Sequence, residues 1–544
     1  RGTDNSGNGN NWTENNFNTA TSTATTYDIM TDVPTLTDAD TANYAVFNPL
    51  GTNDISTFSE ANLKVTTGSG ASTTGTTIAM SSGKWYAEFV CTAKTSVNMY
   101  IGLVEASTFD GDNQGDEGTN NGYIYSNTGN VYHGGANEAY GASWTVGDVM
   151  AIAFDADTRN VTFYKNNVSQ GVYTRIASEN TGGDWLMVVS EGQGGATATF
   201  VANFGQRPFA YTPPAGYKKL NTFNLPDSNV LNGKEYFNTN TYSGNGSTQT
   251  ITNGLFSPDL MWVKCRNAGH NNVLQDTVRG VGSGKNLSTN QTQAEGTDND
   301  GYMLATTSTG FTVNTGNGTN NSGLTYVGWQ WRGSDSAAVS NTAGTITSSV
   351  SANPTAGFSV VTYTGNGTSG ATVGHGLGAS LGMLITKPRS ISGGWGVAST
   401  GLGTTGDTLG GFPESYYITL NNTDAKTNNG SSVLALGDAT KFAIGSGLEM
   451  NQSGATYVAY CWSEVEGYSK MGSYAGNGSA DGPFIYTGFR PAFIMFRSTI
   501  LCHWVIVDSA RSTYNVVDDS IYPDETTAEA TVITDVDFLS NGFK

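Results

Sequence analysis

Tyr242-Ser243-Gly244-Asn245-Gly246 recurs as Tyr363-Thr364-Gly365-Asn366-Gly367 and again as Tyr474-Ala475-Gly476-Asn477-Gly478. After each tyrosine comes a hydrophobic run that ends in a cation: LMWVK at Lys264, LGMLITK at Lys387 and AFIMFR at Arg497. Two copies close on matching aromatic runs, Tyr326 to Trp331 (YVGWQW) and Tyr457 to Trp462 (YVAYCW). The third is expected to close beyond Lys544. Gly-Asn-Gly supplies a turn that needs φ > 0, and the β-branched and aromatic runs supply strands and core. The period therefore reads as three all-β modules, 236–352, 353–467 and an incomplete 468–544. A unit of about 110 residues is large enough to fold alone, so the expectation is a string of sandwich-like modules in series.

Composition agrees with an all-β chain. Glycine is 71 of 544 residues, about twice the usual ~7%. Charged residues are only 13%, with Asn, Thr, Ser and Gly in their place. Those residues disfavour helices, because Ser, Thr and Asn compete for backbone hydrogen bonds and Gly costs about 1 kcal/mol per site. Hydrophobics at 37% and aromatics at 11% still permit real cores, which excludes wholesale disorder, helical bundles and coiled coils. The net charge of −20 and the absence of any basic run disfavour nucleic acid and anionic membrane surfaces as partners. No apolar run is long enough for a transmembrane helix. The chain starts at Arg1 and is expected to be a fragment. Cys91, Cys265, Cys461 and Cys502 are scattered without CxxC spacing and read as small buried hydrophobes.

Upstream of the repeats, residues 1–50 are rich in Asn, Thr and Asp. They read as the end of an upstream domain plus an extended connector lying on its neighbours. Residues 51–220 show period-two alternation broken by Gly/Asn/Asp clusters, the pattern of a sandwich, and 221–235 reads as a linker. Within the sandwich stand Gly83-Lys84-Trp85-Tyr86-Ala87-Glu88, Ile101-Gly102, Gly122-Tyr123, Tyr140-Gly141 with Trp144, and Gly147-Asp148-Val149 leading into Ala153-Phe154-Asp155. Val161-Thr162-Phe163-Tyr164-Lys165-Asn166 and Asn203-Phe204-Gly205 with Pro208-Phe209 complete the set. In order and spacing these residues resemble the SPRY (B30.2-like) domain. Asn167 stands where that family usually has Gly, and Asn also tolerates φ > 0. The resemblance implies a bent two-sheet, concanavalin-like sandwich that recognises partners through loops and has no catalytic machinery. The SPRY-then-repeat order and the YxGNG turn also resemble the all-β modules of marine bacteriophage structural proteins. That resemblance implies a virion subunit, homotrimeric by default.

Candidate chemistry is sparse. His133, His270, His375 and His503 are the only histidines and form no zinc-binding pattern. GxSxG at 378–382 and GxGxxG at 401–406 lack the strand-to-helix context such motifs need. Asp276-x-x-Arg279 recurs as Asp508-x-x-Arg511. It reads either as an acid/base or binding constellation or as an ion pair that fixes a turn. The second copy, around Trp395 to Ser399, has neither residue, which argues for structure. Asp110, Asp112, Gln114 and Asp116 fall at calcium-loop spacing with Gly115 at the turn, but Asn121 stands where a bidentate Glu is required. Calcium is the one cofactor this leaves in view. Tyr123, Tyr125, Tyr132 and Tyr140 read as an exposed loop set suited to stacking on sugars.

The expected function is a bacteriophage virion protein, a tail-fibre or surface-appendage subunit, binding a host-surface glycan or protein through the SPRY-like module. Other virion proteins and further copies of the chain would be its partners. A capsid decoration or head fibre is the alternative within the virion. A secreted polysaccharide-active enzyme, which needs two carboxylates facing across a groove, and a bacterial adhesin are alternatives of other classes.

Overall fold

The computed structural model describes residues 38–544, apart from 51–55, 69–71, 96–97, 107–108, 110–121, 134–135, 175–182, 192–196, 227, 229, 297–299, 429–432, 477, 479–481 and 532–535. Among the described residues, regular structure is almost entirely β-strand, with two three-residue 3-10 turns at Gly233–Glu235 and Thr400–Leu402. The chain forms two compact units. One is Arg1–Pro226 with Gly476–Gly488, and the other is Asp227–Ala475 with Phe489–Lys544.

The first unit is a sandwich. One sheet runs Thr57–Ser59, Lys64–Thr66, Ala198–Asn203, Lys84–Lys94, Val149–Asp155, Asn160–Lys165, Val168–Tyr173; the other runs Thr73–Gly75, Trp185–Glu191, Met99–Glu105, Gly122–Ser126, Asn130–His133, Ala136–Ala139. Their inner faces close on Trp85, Phe89, Ile152, Phe154, Phe163, Trp185 and Met187. Asn166 and Asn167 both adopt left-handed φ (47° and 68°) in the two-residue hairpin that pairs Lys165 with Val168, so the missing glycine is tolerated. The part of the expected connector that is described belongs to the sandwich instead. Tyr44, Ala45 and Phe47 are core residues, and the Ala45 amide donates to the Leu220 carbonyl at 3.0 Å.

The second unit repeats one motif. In the first copy, Phe237–Ser243 (opening), Thr325–Trp331 (closing), Leu260–Cys265 (inner) and Val273–Asp276 (outer) make a sheet in that order. In the second copy, Phe358–Thr364, Thr456–Trp462, Met383–Pro388 and Gly396–Ser399 stand in the same order. The third copy has an inner strand, Phe493–Phe496, paired with an outer strand, Val505–Asp508. Cross-strand register aligns the copies. Leu260 faces Asp276, Met383 faces Ser399 and Phe493 faces Asp508, so Asp276, Ser399 and Asp508 share one structural position. Trp329 opposite Trp262 and Tyr460 opposite Ile385 share another.

The copies are not separate modules in series. One buried cluster takes Trp262, Leu274 and Trp329 from the first, Val360, Trp395 and Tyr460 from the second, and Trp504, Ile506 and Ile521 from the third. The inner faces of the three sheets are thus each other's cover, and a single copy would expose its tryptophans to water.

The strand-ending cations tie this arrangement. Lys387 Nζ donates to the first copy's Thr292 and Gln293 carbonyls (3.2 and 2.8 Å) and to Pro388 and Gly393 (3.1 and 2.9 Å). Lys264 Nζ donates to His270 (2.7 Å) and to the third copy's Thr526 (2.9 Å). Arg497 reaches the second copy's Thr419, Asn422 and Asp424 carbonyls at 3.1, 3.1 and 2.6 Å. Copy one therefore donates to three, two to one, and three to two, which closes a cycle. One position further along the fold repeats the pattern. Asn272 Nδ2 donates to Pro523 and Glu525, Trp395 Nε1 to Ser288 and Gln291, and Trp504 Nε1 to Thr419. Burial pulls Lys264 and Lys387 down to about 8.

Lys387→Met leaves four carbonyl oxygens without their donor and is expected to cost about 3 kcal/mol. The readout is a lower urea midpoint, at unchanged m-value, for the transition of residues 227–544.

Candidate functional site

Two places merit description, the loop-and-edge face of the sandwich and the charged junctions between the repeats.

In the sandwich, Glu88 shows why the signature residues are where they are. Its carboxylate lies on the outer face of the Lys84–Lys94 strand. It accepts from the Ala210 and Tyr211 amides (2.7 and 2.9 Å) and from the Tyr86 hydroxyl (3.1 Å). Burial raises its pKa, against the opposing pull of those donors. This clamp fixes the segment after Pro208. Asp148 is held by the Thr145 amide (2.8 Å), Asn166 Nδ2 (2.7 Å) and Lys165 (3.3 Å), which anchors the base of the hairpin.

The four tyrosines expected as an exposed set do not form one. Tyr123 and Tyr125 are 3% and 0% exposed and belong to the core. They lie on the strand Gly122–Ser126, two residues apart and on one face. Tyr125 donates to the Ala142 carbonyl at 2.5 Å. Tyr132 is half-buried, edge-on to Tyr100 with centroids 5.6 Å apart. Tyr140 is half-buried against Tyr125, Phe163 and Tyr173, and its hydroxyl donates to the Gly171 carbonyl. Burial pushes the Tyr140 hydroxyl up to about 12.

What is exposed is the strand Val168–Tyr173, the last of its sheet, with Asn160–Lys165 as its one strand neighbour among the described residues. Val168 and Val172 are 64% and 61% exposed, with Val146 also exposed. An outer strand with two solvent-facing valines is an adhesive edge. Sequence reasoning missed it because Val-x-x-x-Val looks the same on an inner strand. Asp110, Asp112, Gln114 and Asp116 lie outside the described residues. Among the described residues, no group of three His, Cys, Asp or Glu is placed to hold a metal ion.

The junctions gather the recurring acids and arginines. Arg279 Nε donates to Asp276 Oδ2 at 2.5 Å, and both side chains are fully buried. Tyr460 of the second copy donates to the same oxygen at 2.7 Å. Arg279 also faces Glu295 (3.5 Å), which binds Arg389 of the second copy at 2.6 Å. The third copy repeats this with the first. Arg511 Nε meets Asp508 Oδ2 at 2.7 Å, Trp329 Nε1 donates to that oxygen at 3.0 Å, and Glu529 joins Arg511 (2.9 Å) to Arg266 (2.6 Å). Burial raises Glu295, but hydrogen bonding to Arg389 and the charges of Arg279, Arg389 and Lys285 outweigh it, so its pKa lies below the ordinary 4.5. Between the second and third copies the corresponding positions are Ser399, Leu402, Lys426 and Thr499, and no charge pair forms. Only the backbone link persists there. Lys426 donates to Thr499 as Glu295 does to Arg389 and Glu529 to Arg266 (2.9, 2.8 and 2.7 Å).

The remaining candidates resolve simply. GxGxxG at 401–406 runs into the strand Thr404–Leu409 and not a helix. Cys91, Cys265 and Cys461 are buried free thiols, whereas Cys502 is exposed, contrary to expectation. His503 pairs with Asp524 at 2.8 Å. A groove of about 600 Å³ lined by Phe256, Asp259, Thr277 and Arg332 is present in the second unit. Its Asp259 carboxylate already accepts from Thr277, Gly333 and Ser351.

Comparison with known proteins gives both units a place. The SPRY domain family matches residues 84–207. Over 139 residues the chain is 29% identical to "E3 ubiquitin-protein ligase RKP" of Arabidopsis thaliana, covering 25% of this chain and 10% of that protein. The chain thus spans about a tenth of that relative's length. Among solved structures, the SPRY domain of human HERC1 is 17% identical and covers 29% of this chain and 96% of its own, with a TM-score of 0.25. The TRIM65 PSpry domain is 14% identical and covers 30% and 92%, with a TM-score of 0.23. The sandwich is a SPRY domain, a module that suggests protein–protein recognition. The repeat unit falls inside a family match over residues 232–544, more than half of the chain, and the protein belongs to that family, DUF7483, a domain of unknown function.

Proposed function

We propose that this protein is a non-catalytic structural and recognition component of a bacteriophage virion, a tail-fibre or surface-appendage subunit. Its SPRY sandwich would engage a protein on the host surface. The observation that carries the recognition part is the open edge Val168–Tyr173, with Val168 and Val172 exposed on a rigid sandwich. An extended partner segment can add a strand there and cover the valines. A glycan is the weaker ligand, because the tyrosines expected to stack on sugars are in the core or packed on other rings. The virion setting, its surface location and homo-oligomeric assembly with other virion proteins rest on the sequence resemblance to marine phage structural proteins.

The non-catalytic part is supported by the junctions. The buried acids and arginines are consumed in pairs within a repeat, which Tyr460, Trp329, Arg389 and Arg266 tie to the neighbouring repeat, with the Asp276 and Asp508 side chains dry. No substrate can reach such carboxylates without unfolding the repeats.

In Val168→Asp/Val172→Asp protein, binding of the labelled chain to host cells is expected to fall at least tenfold, with an unchanged melting temperature. Equal binding would remove the edge from the recognition surface. Mass spectrometry of purified particles tests the virion setting, and absence of the chain from them ends that reading.

Glu295→Gln separates a structural acid from a reacting one through stability. Since the folded-state pKa of Glu295 is depressed, its contribution is present above 4.5 and disappears as pH falls through the folded value. The variant is expected to be about 2 kcal/mol less stable at pH 7. The gap should close in acid, as read by urea unfolding at a series of pH values.

A further inference from the structure

A sheet ends in two strands whose outer sides are either covered or left to water. At the outer strand of each repeat the chain supplies the cover itself. Leu274 exchanges amide–carbonyl bonds with Leu287 (2.9 and 3.1 Å), and Ile506 does so with Ile521 (2.8 and 3.1 Å). Val397, at the same position in the second copy, is paired with Ile418. At the opening strand the first two copies differ. Ser348–Asn353 covers Phe358–Thr364 and is itself backed by Val339–Asn341. Phe237–Ser243 has Thr325–Trp331 as its one strand neighbour among the described residues.

Hydrogen-bond alternation shows which backbone groups face the open side. The Tyr236 carbonyl accepts from the Arg332 amide, and the Gly244 amide donates to the Leu324 carbonyl, both at 2.8 Å. The register between these two bonds is unbroken, so Asn238, Asn240 and Tyr242 bond to the closing strand. Phe237, Thr239, Thr241 and Ser243 therefore turn their amides and carbonyls outward. Their counterparts Phe358, Val360 and Thr362 face Asn353, Ser351 and Ser349 of the covering strand. None of the devices that blunt a free edge is present. Phe237–Ser243 contains no Lys, Pro or Gly, and its pairing has no bulge.

The chemistry of the occupant follows from the two edges. Both opening strands are uncharged (FNTNTYS and FSVVTYT), and the strand that covers the second, SSVSAN, is uncharged with small side chains. Asn240 stands where the second copy has Val361, which lies opposite Val350. The Asn240 carboxamide donates to the Thr252 carbonyl (3.0 Å) and accepts from Gln330 Nε2 (2.6 Å), so no large apolar residue is needed opposite it. A second copy of the chain is disfavoured as occupant by the net charge of −20, which makes copies repel. We propose that the outward side of Phe237–Ser243 is a docking edge for an extended, uncharged segment of another protein, rich in Ser, Thr, Ala and Val. The segment adds as an antiparallel strand and supplies in trans what Ser348–Asn353 supplies to the second copy in cis. This edge belongs to the repeat unit and does not depend on the virion setting.

The test follows amide hydrogen exchange in the full chain with a synthetic peptide of the Val339–Asn353 sequence (VSNTAGTITSSVSAN) as the probe. In the chain alone, the Thr239 and Thr241 amides are expected to exchange at least about 100-fold faster than those of Asn238 and Asn240. At about 1 mM peptide they should gain at least about tenfold protection, which corresponds to a Kd of about 0.1 mM. A scrambled peptide should give no gain. Thr241→Pro removes an outward N–H, a change an edge strand tolerates, and Thr241→Lys puts a charge on the exposed edge. Either variant should abolish the gain at Thr239 with an unchanged melting temperature. No gain in the unsubstituted chain overturns the proposal, as does a gain that persists in both variants. Thr239 and Thr241 already protected in a monomeric chain overturn it too, because the chain then covers its own edge. The same protection in a dimeric chain overturns it in favour of a second copy.

Discussion

A charged amine or guanidinium buried among another repeat's carbonyl oxygens is the interaction on which the rest of the 232–544 unit depends. Loops that leave a sheet carry carbonyl groups that no strand satisfies, and burying them without donors costs free energy at each one. Here the donors come from the neighbouring repeat: Lys264, Lys387 and Arg497 at one position, Asn272, Trp395 and Trp504 at another. A repeat taken alone would lack both its cover and its donors. Apolar burial supplies most of the free energy, and the cations select the angle and order in which the sheets meet.

On that shared frame the three junctions have diverged. Two hold a buried Asp–Arg pair, a Glu bridging to the next repeat, and an aromatic N–H or O–H capping the aspartate. The third replaces all of this with Ser399, Leu402, Lys426 and Thr499. A buried ion pair is weak evidence for stability in itself, since desolvation offsets much of its attraction. Its value lies in discrimination. A repeat with Asp276 and Arg279 cannot dock on a face built for Leu402 without leaving charges unpaired, so the repeats assemble in one cyclic order only.

Much of this was legible in the sequence, and the losses have physical causes. The first two Gly-Asn-Gly turns, the aromatic strands and the Asp-x-x-Arg pairs are local features, and each is present at its expected residues. The role of the strand-ending cations was not legible, because their partners are backbone oxygens of residues such as Thr292 and Thr526, which no side-chain pattern announces. For the same reason a period of sandwich-sized units suggested independent modules. In the SPRY domain, glycine- and asparagine-rich flanks made Gly122–Ser126 look like a loop, whereas it is an interior strand that turns Tyr123 and Tyr125 inward. The exposed edge went unseen because position within a sheet is a tertiary property.

The sheet order of each repeat also bears on how the chain is made. An opening strand such as Phe358–Thr364 has on its inner side the partner Thr456–Trp462, which emerges from the ribosome only after the other strands of that repeat. Until then the opening and inner strands have no neighbour between them, and their edges are bare. Contact order is therefore high, and a repeat cannot complete its sheet until its last strand has been made. The net charge of −20 makes waiting nascent chains repel one another while the last strand is delivered, and the many glycines lower the strand propensity of the bare edges.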